Sequence, residues 1–180
     1  MDEILVAPYD PHWPELFRSL ALPLRVALGP VALRIDHIGS TSVPGLAAKP
    51  VIDLQVSVAT LEPTTPFRLP LERLGWRFRA DNDDLTKRYF REPSGSRRTH
   101  LHVRRAGSFS EQSALLLRDF LRATPSRAAA YATLKHSLAS LHAHDRSAYT
   151  EAKSPFIWET LHLADRWAQS TGWTPGPPDA

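Results

Sequence analysis

Asp53 stands inside the run Val51-Ile52-Asp53-Leu54-Gln55-Val56-Ser57-Val58, where an unpaired charge is costly among branched apolar neighbours. Upstream lies Gly39-Ser40-Thr41-Ser42, with Lys49 between the two. Glycine lets the backbone approach a ligand closely, and successive N–H groups with hydroxyls can cradle anionic oxygens. Further along, His100-Leu101-His102 sets two imidazoles at i and i+2, a workable spacing for a divalent metal. A phosphate-sized turn, an acid and two imidazoles suit nucleotide phosphates held beside a cation.

Side chains alternate across a strand, so parity sorts these residues onto faces. Ile52, Leu54, Val56 and Val58 share one face of their strand, and Asp53, Gln55 and Ser57 the other. In the later strand Leu101 and Val103 share a face, opposed by Arg98, His100, His102 and Arg104. If both apolar sets pack under helices, both polar sets occupy one open side of the sheet. A solvated strand face shows the same alternation. For Arg98 and Arg104 solvation is the simpler reading; for Asp53, close behind a glycine turn, function is.

The elements that must position these residues follow from spacing. Pro14, Trp13, Leu16, Phe17, Leu20, Leu24 and Leu28 predict a first helix that Gly29-Pro30 ends. Strands are expected over 31–37 and 51–58, separated by the Gly39 turn and a short helical piece near Leu46. A helix ending at Gly75 follows, then a short strand at 76–78. A hairpin over 86–92 and 98–104 turns at Pro93-Ser94-Gly95-Ser96. From Ser110 the pattern is helical: Leu115, Leu116, Phe120 and Leu121 form one stripe, Pro125 starts a helix with Tyr131, Leu134, Leu138 and Leu141, and a last helix carries Phe156, Ile157, Leu161 and Ala164. Tyr131, Trp158 and Trp167 read as core. The expected plan is α+β: a small mixed sheet with helices on one face and a helical C-terminal lobe from about residue 110. One domain over 1–170 and a flexible tail over 171–180 are expected.

The 180 residues suit one domain, with 42% apolar and 23% charged residues. A net charge of +3 permits an anionic partner, but there is no basic stripe with readout elements, so nucleic acid is not the expected one. Without cysteine, disulfides, thiolate zinc sites and cysteine nucleophiles are excluded. The opening Met1-Asp2-Glu3 is acidic and no apolar run is long enough to span a bilayer, so a cytoplasmic protein and no membrane partner are expected.

The stretch His37-Ile38-Gly39-Ser40-Thr41-Ser42-Val43-Pro44-Gly45-Leu46, followed by Lys49-Pro50-Val51-Ile52-Asp53-Leu54, resembles the GrpB family. The likeness extends to Tyr9-Asp10-Pro11-His12-Trp13, His100-Leu101-His102-Val103, Leu117-Arg118-Asp119-Phe120-Leu121-Arg122, Tyr131, Leu134-Lys135, Tyr149, Lys153 and Phe156-Ile157. GrpB proteins look like polymerase-β-type nucleotidyltransferases, in which a Gly-Ser turn precedes acids on a strand. The resemblance implies a nucleoside triphosphate on Gly39, Ser40, Thr41, Ser42 and Lys49, a small-molecule acceptor, and Asp53 as the catalytic carboxylate. It also implies Lys135, Tyr149 and Lys153 of the helical lobe reaching the phosphates. A similar domain occurs fused to some dephospho-coenzyme A kinases.

This chain departs from that pattern at Gln55, where a second carboxylate would share cations with Asp53 at i and i+2. Where a third acid is expected, His100 and His102 stand instead. Magnesium prefers oxygen ligands, whereas a carboxylate with imidazoles also suits manganese or zinc, so the expected cofactor is magnesium or manganese, with zinc open. Three activities stay in play: a nucleotidyltransferase, a nucleotide-binding module without catalysis, and a metal-dependent phosphohydrolase using Asp53, His100 and His102. Ser40 and Thr41 could instead cap a helix, and the lysines could be solvated.

Overall fold

The computed structural model describes residues 3–180; Met1 and Asp2 lie outside them. The first helix, α1 (Trp13–Leu28), carries Pro14 in its first turn, where no N–H partner is needed, and buries Trp13, Phe17, Ala21, Leu24 and Leu28 along one face. Strand β1 (Arg34–Ile38) starts later than its apolar residues suggest, because Gly29–Val31 forms a single 3₁₀ turn. A second such turn, Ser40–Ser42, joins β1 to β2 (Ile52–Val58). Helix α2 (Thr65–Arg73) leads to β3 (Arg77–Phe78), β4 (Lys87–Arg91) and β5 (Thr99–Arg105).

The sheet runs β1-β2-β5-β4-β3. Only the central pair β2·β5 is parallel; β1, β4 and β3 add antiparallel. The parallel register sets Asp53 beside His100 and Gln55 beside His102. Ile52, Leu54, Val56, Val58, Leu101 and Val103 are buried with α1, with Phe67 and Leu71 of α2, and with Phe90. The alternation in β2 and β5 therefore sorts the two faces as expected.

The lobe consists of α3 (Phe109–Ala123), α4 (Pro125–Leu141), α5 (Arg146–Ala152) and α6 (Ser154–Thr171). Val43 and Leu46, just past the second 3₁₀ turn, pack with Leu121 of α3 and Ala128 and Tyr131 of α4, fastening the lobe to the turn. Helix α5 escapes the apolar pattern. Its signal is polar: Asp145 caps it by accepting from the N–H groups of Ser147 and Ala148, both at 3.0 Å.

Three expectations need correction. The polar side of the sheet is only partly open, because α3 covers part of it: Gln55 and Ser57 are fully buried, and Ser57 donates to Glu111 of α3 at 2.5 Å. The segment expected to be a flexible tail starts inside α6 and then lies along β1: Asp179 accepts from the His37 N–H at 2.9 Å and from Arg118 at 2.8 Å, and Ala180 N–H donates to Ile35. Pairing to the outer edge of β1 satisfies backbone groups that would otherwise be open. Trp158, expected in the core, is 54% exposed and stacks on Phe109, while Tyr131 is buried as expected. Among the described residues no helix is long and apolar enough to cross a membrane.

Candidate metal and phosphate site

Gly39 follows β1 at the level of Asp53, since Ile38 pairs with Asp53. Its φ of +71° and ψ of −173° lie in a region open essentially to glycine. A Cβ there would fall 2.6 Å from Asp53 Oδ2, so glycine lets the turn close directly onto the carboxylate. The next three hydroxyls have different fates. Ser42 Oγ donates back to Gly39 O at 2.6 Å, and Thr41 Oγ1 donates to Val51 O at 3.2 Å. Because Thr41 is the donor there, it accepts from His37 Nε2 at 3.0 Å. Both hydroxyls thus hold the turn itself together. Ser40 is left lining the cavity.

Asp53 Oδ1 lies 2.9 Å from His100 Nδ1 and 3.4 Å from His102 Nε2. The ligand atoms of all three residues fall within 4.8 Å of one another. An ion bound at roughly 2.1 Å separates neighbouring donors by roughly 3.0–3.4 Å, so the two measured separations match edges of a coordination polyhedron. One carboxylate oxygen with two imidazole nitrogens is also the donor set of manganese, iron and zinc sites. The residues fit a single divalent ion. Burial pushes the Asp53 carboxyl up, but hydrogen bonds from His100 and His102 outweigh it and hold the group well below the usual carboxylate range. Burial lowers His102 to about 4, so its ring is neutral; with its N–H on Asp53 the lone pair lies on the unpartnered Nδ1, and ligation through Nε2 would require the other tautomer.

The second carboxylate position of the polymerase-β pattern is closed. Gln55 Oε1 accepts from Arg104 Nη1, and Gln55 Nε2 donates to the Glu111 carbonyl at 3.5 Å. Arg104, which the sequence presents as solvated, is thereby engaged beneath the lobe.

A cavity of about 450 Å³ opens from Asp53 and His100 towards α4 and α5. Its walls include Ser40, Thr41, Lys49, Lys135, Tyr149 and Lys153, whereas Gly39 and Ser42 do not line it. His102 does not line the cavity; it is set deeper, with its Nε2 3.4 Å from Asp53 Oδ1. Lys49 and Lys153 stand 4.5 and 4.6 Å from the centre of the Tyr149 ring, and Lys135 stands 4.5 Å from that of Tyr131. Lys135 also donates to the Ala47 carbonyl. Burial and the neighbouring Lys153 lower Lys135 to about 7; burial and Lys49 lower Lys153 to about 8. Burial likewise pushes Lys49 down and raises Tyr149 to about 12. Closely spaced lysines that lose charge so readily gain from an anion placed among them.

Sequence reasoning missed several neighbours of this site. Tyr89, paired with His102 across β4 and β5, sets its ring 5.7 Å from that of His100 and 5.4 Å from that of His102. Its position on β4 could have been found from the hairpin register. Glu3, Ile4 and Leu5 form a cavity wall, held by Ile4 N–H on Ala143 O at 2.8 Å and by the Ala7–Ala48 bridge. No local pattern marks that long-range contact.

The family model described as "GrpB protein" matches residues 3–162. A UPF0157 protein of Pseudomonas aeruginosa is 40% identical over 166 residues, covering 91% of this chain and 68% of the relative. The UPF0157 protein YqkA of Bacillus subtilis is 35% identical, and a dephospho-CoA kinase of Mycolicibacterium paratuberculosis 33%. The chain spans about half of each of these two, 46% and 48% of their lengths. Among solved structures, GrpB from Enterococcus faecalis superposes with a TM-score of 0.81 at 34% identity, over 91% of this chain and 99% of that one. A cytoplasmic RNA terminal U-transferase shares the fold at a TM-score of 0.54 and 16% identity, over 72% of this chain and 42% of that one. By the extent of these matches the chain belongs to the GrpB family, on a nucleotidyltransferase-like fold.

Proposed function

We propose that the protein binds a nucleoside triphosphate together with one divalent cation and transfers the nucleotidyl group to a small acceptor. The observation that carries this reading is the convergence on one cavity of Asp53, His100, Lys49, Lys135 and Lys153, with His102 behind the carboxylate. Asp53, His100 and His102 would hold the cation, which when bound supplies charge neutralisation at phosphate oxygens. Lys49, Lys135 and Lys153 would take the remaining phosphate charge. Asp53 stays ionised throughout and is a ligand rather than a base. In the transfer an acceptor oxygen bonds to the α-phosphorus and gives up its proton to solvent, the bond from that phosphorus to the bridging oxygen breaks, and pyrophosphate leaves. Lys153 Nζ, near 8, can carry a proton to that leaving group at neutral pH.

A second reading, a nucleotide-binding module without catalysis, is favoured by Gln55, whose amide is engaged by Arg104 and closed to a cation. The fusion-like coverage of dephospho-CoA kinases fits nucleotide-related work under either reading. Pyrophosphate release from nucleoside triphosphates with manganese, across a panel of hydroxyl and amine acceptors, tests the first. Release that vanishes in Asp53→Asn supports transfer. Calorimetric binding with no product for any acceptor supports the module.

A further inference from the structure

We infer that the cavity recognises a polyphosphate chain by its charge, without selecting the nucleobase, and that Arg98 is one of the residues holding it. The inference rests on the triphosphate reading above and names what that site selects.

Its first support is the state of the aromatic rings. Proteins commonly hold bases by stacking them on open aromatic faces. Tyr149 lines the cavity, yet it is 1% exposed with Lys49 and Lys153 over its ring. Tyr131 is 6% exposed, stacked on Phe156 with centroids 5.2 Å apart, and it carries Lys135 over its ring. Both rings therefore steady ammonium groups and leave no face for a base.

The second support is Arg98. It lines the same cavity beside His100, and among the described residues it makes no hydrogen bond or ion pair; its Nε is buried without a partner. Other arginines of this region are engaged: Arg91 by Glu92, Arg104 by Gln55, Arg118 by Asp119 and Asp179. A half-buried guanidinium with an idle N–H is set to bind an anion, and its planar donor fork suits phosphate. The wall carries Lys49, Arg98, Lys135 and Lys153 against Glu3 and Asp53, an excess of positive charge that suits a multiply charged anion. Lys135 and Lys153 on the helical lobe and Arg98 before β5 stand on different elements, so an extended anion could be held from several sides.

The test is calorimetry of the whole chain at fixed manganese with ATP, GTP, CTP, UTP and inorganic tripolyphosphate, on wild type and Arg98→Ala. The inference expects the five affinities to agree within about tenfold, and Arg98→Ala to weaken all five alike by about tenfold, as for loss of a charged hydrogen bond. A larger preference for one base, or failure of tripolyphosphate where a nucleotide binds, overturns it and leaves the nucleotide reading standing. Unchanged binding in Arg98→Ala removes Arg98 from the site. Binding of none of the five overturns the triphosphate reading itself. The wild-type comparison decides on base selection even if the variant does not fold.

Discussion

Gly39 and Asp53 are in contact with no room for a side chain between them: an added Cβ at residue 39 would overlap the carboxylate at 2.6 Å. The turn and the proposed metal ligand are therefore one structural unit. Gly39→Ala meets both this overlap and a strained backbone, at about 1–3 kcal/mol for the backbone alone. A lowered Tm is expected, with weakened manganese binding in the fraction that stays folded. Thermal denaturation and calorimetry on the same sample check both; wild-type metal affinity in the variant would uncouple the turn from the site.

Removing a donor from Asp53, His100 and His102 separates the rival chemistries. Asp53→Asn and His102→Ala are each expected to weaken manganese binding by about tenfold or more, the range found when metal-site partners are lost. If the protein is a phosphohydrolase, inorganic phosphate will be released from phosphoesters and lost in His102→Ala. If it is a transferase, pyrophosphate will be the product. Product analysis on wild type and His102→Ala distinguishes them.

Lys135 near 7 and Lys153 near 8 make ligand binding proton-linked. An anion among them raises both, so binding at pH 8 takes up protons and affinity falls as pH rises through 7–8 and above. At pH 8, calorimetry in buffers of differing ionisation enthalpy should show uptake of up to about 1.4 protons, most of it at Lys135. Lys135→Met should reduce that uptake. In the unliganded protein the folded state binds fewer protons than the unfolded chain up to the ordinary lysine range, so stability rises with pH over that window.

His37 predicts the opposite end of the pH range. Burial holds it near 4, against 6.5 when free. Between those values the unfolded chain binds the extra proton, so stability is lost as pH falls from 6.5 through 4, by about 1.4 kcal/mol per pH unit for each such group. His102 adds a second proton of the same sign. Urea denaturation from pH 7 to 4 should show the slope, and His37→Phe, which keeps the stacking on Phe17, should flatten it by one proton.

Much of this site was legible in the chain because strand parity has no alternative once the apolar face is known. Asp53, His100 and His102 fall on one side by spacing alone, and their neighbouring register follows from the parallel pairing of β2 and β5. What sits above that face was not legible. Gln55 alternates with Asp53 perfectly, yet α3 buries it, because long-range helix placement leaves no mark on β2. The hydroxyl run Ser40-Thr41-Ser42 suggests three phosphate donors, whereas Thr41 and Ser42 bond to Val51 and Gly39. Proline and glycine near the C-terminus suggest a loose tail, and its capture rests on partners far away in the chain: Asp179 meets Arg118 and the His37 N–H, and Ala180 meets Arg25 and Ile35.

The most direct measurement is anomalous scattering at the manganese edge from crystals grown with manganese and a non-hydrolysable nucleoside triphosphate. The account predicts one peak bounded by Asp53 Oδ1, His100 Nδ1 and His102 Nε2, with phosphate density running from it towards Lys49 and Lys153. A peak elsewhere, or triphosphate density away from this cavity, would contradict it.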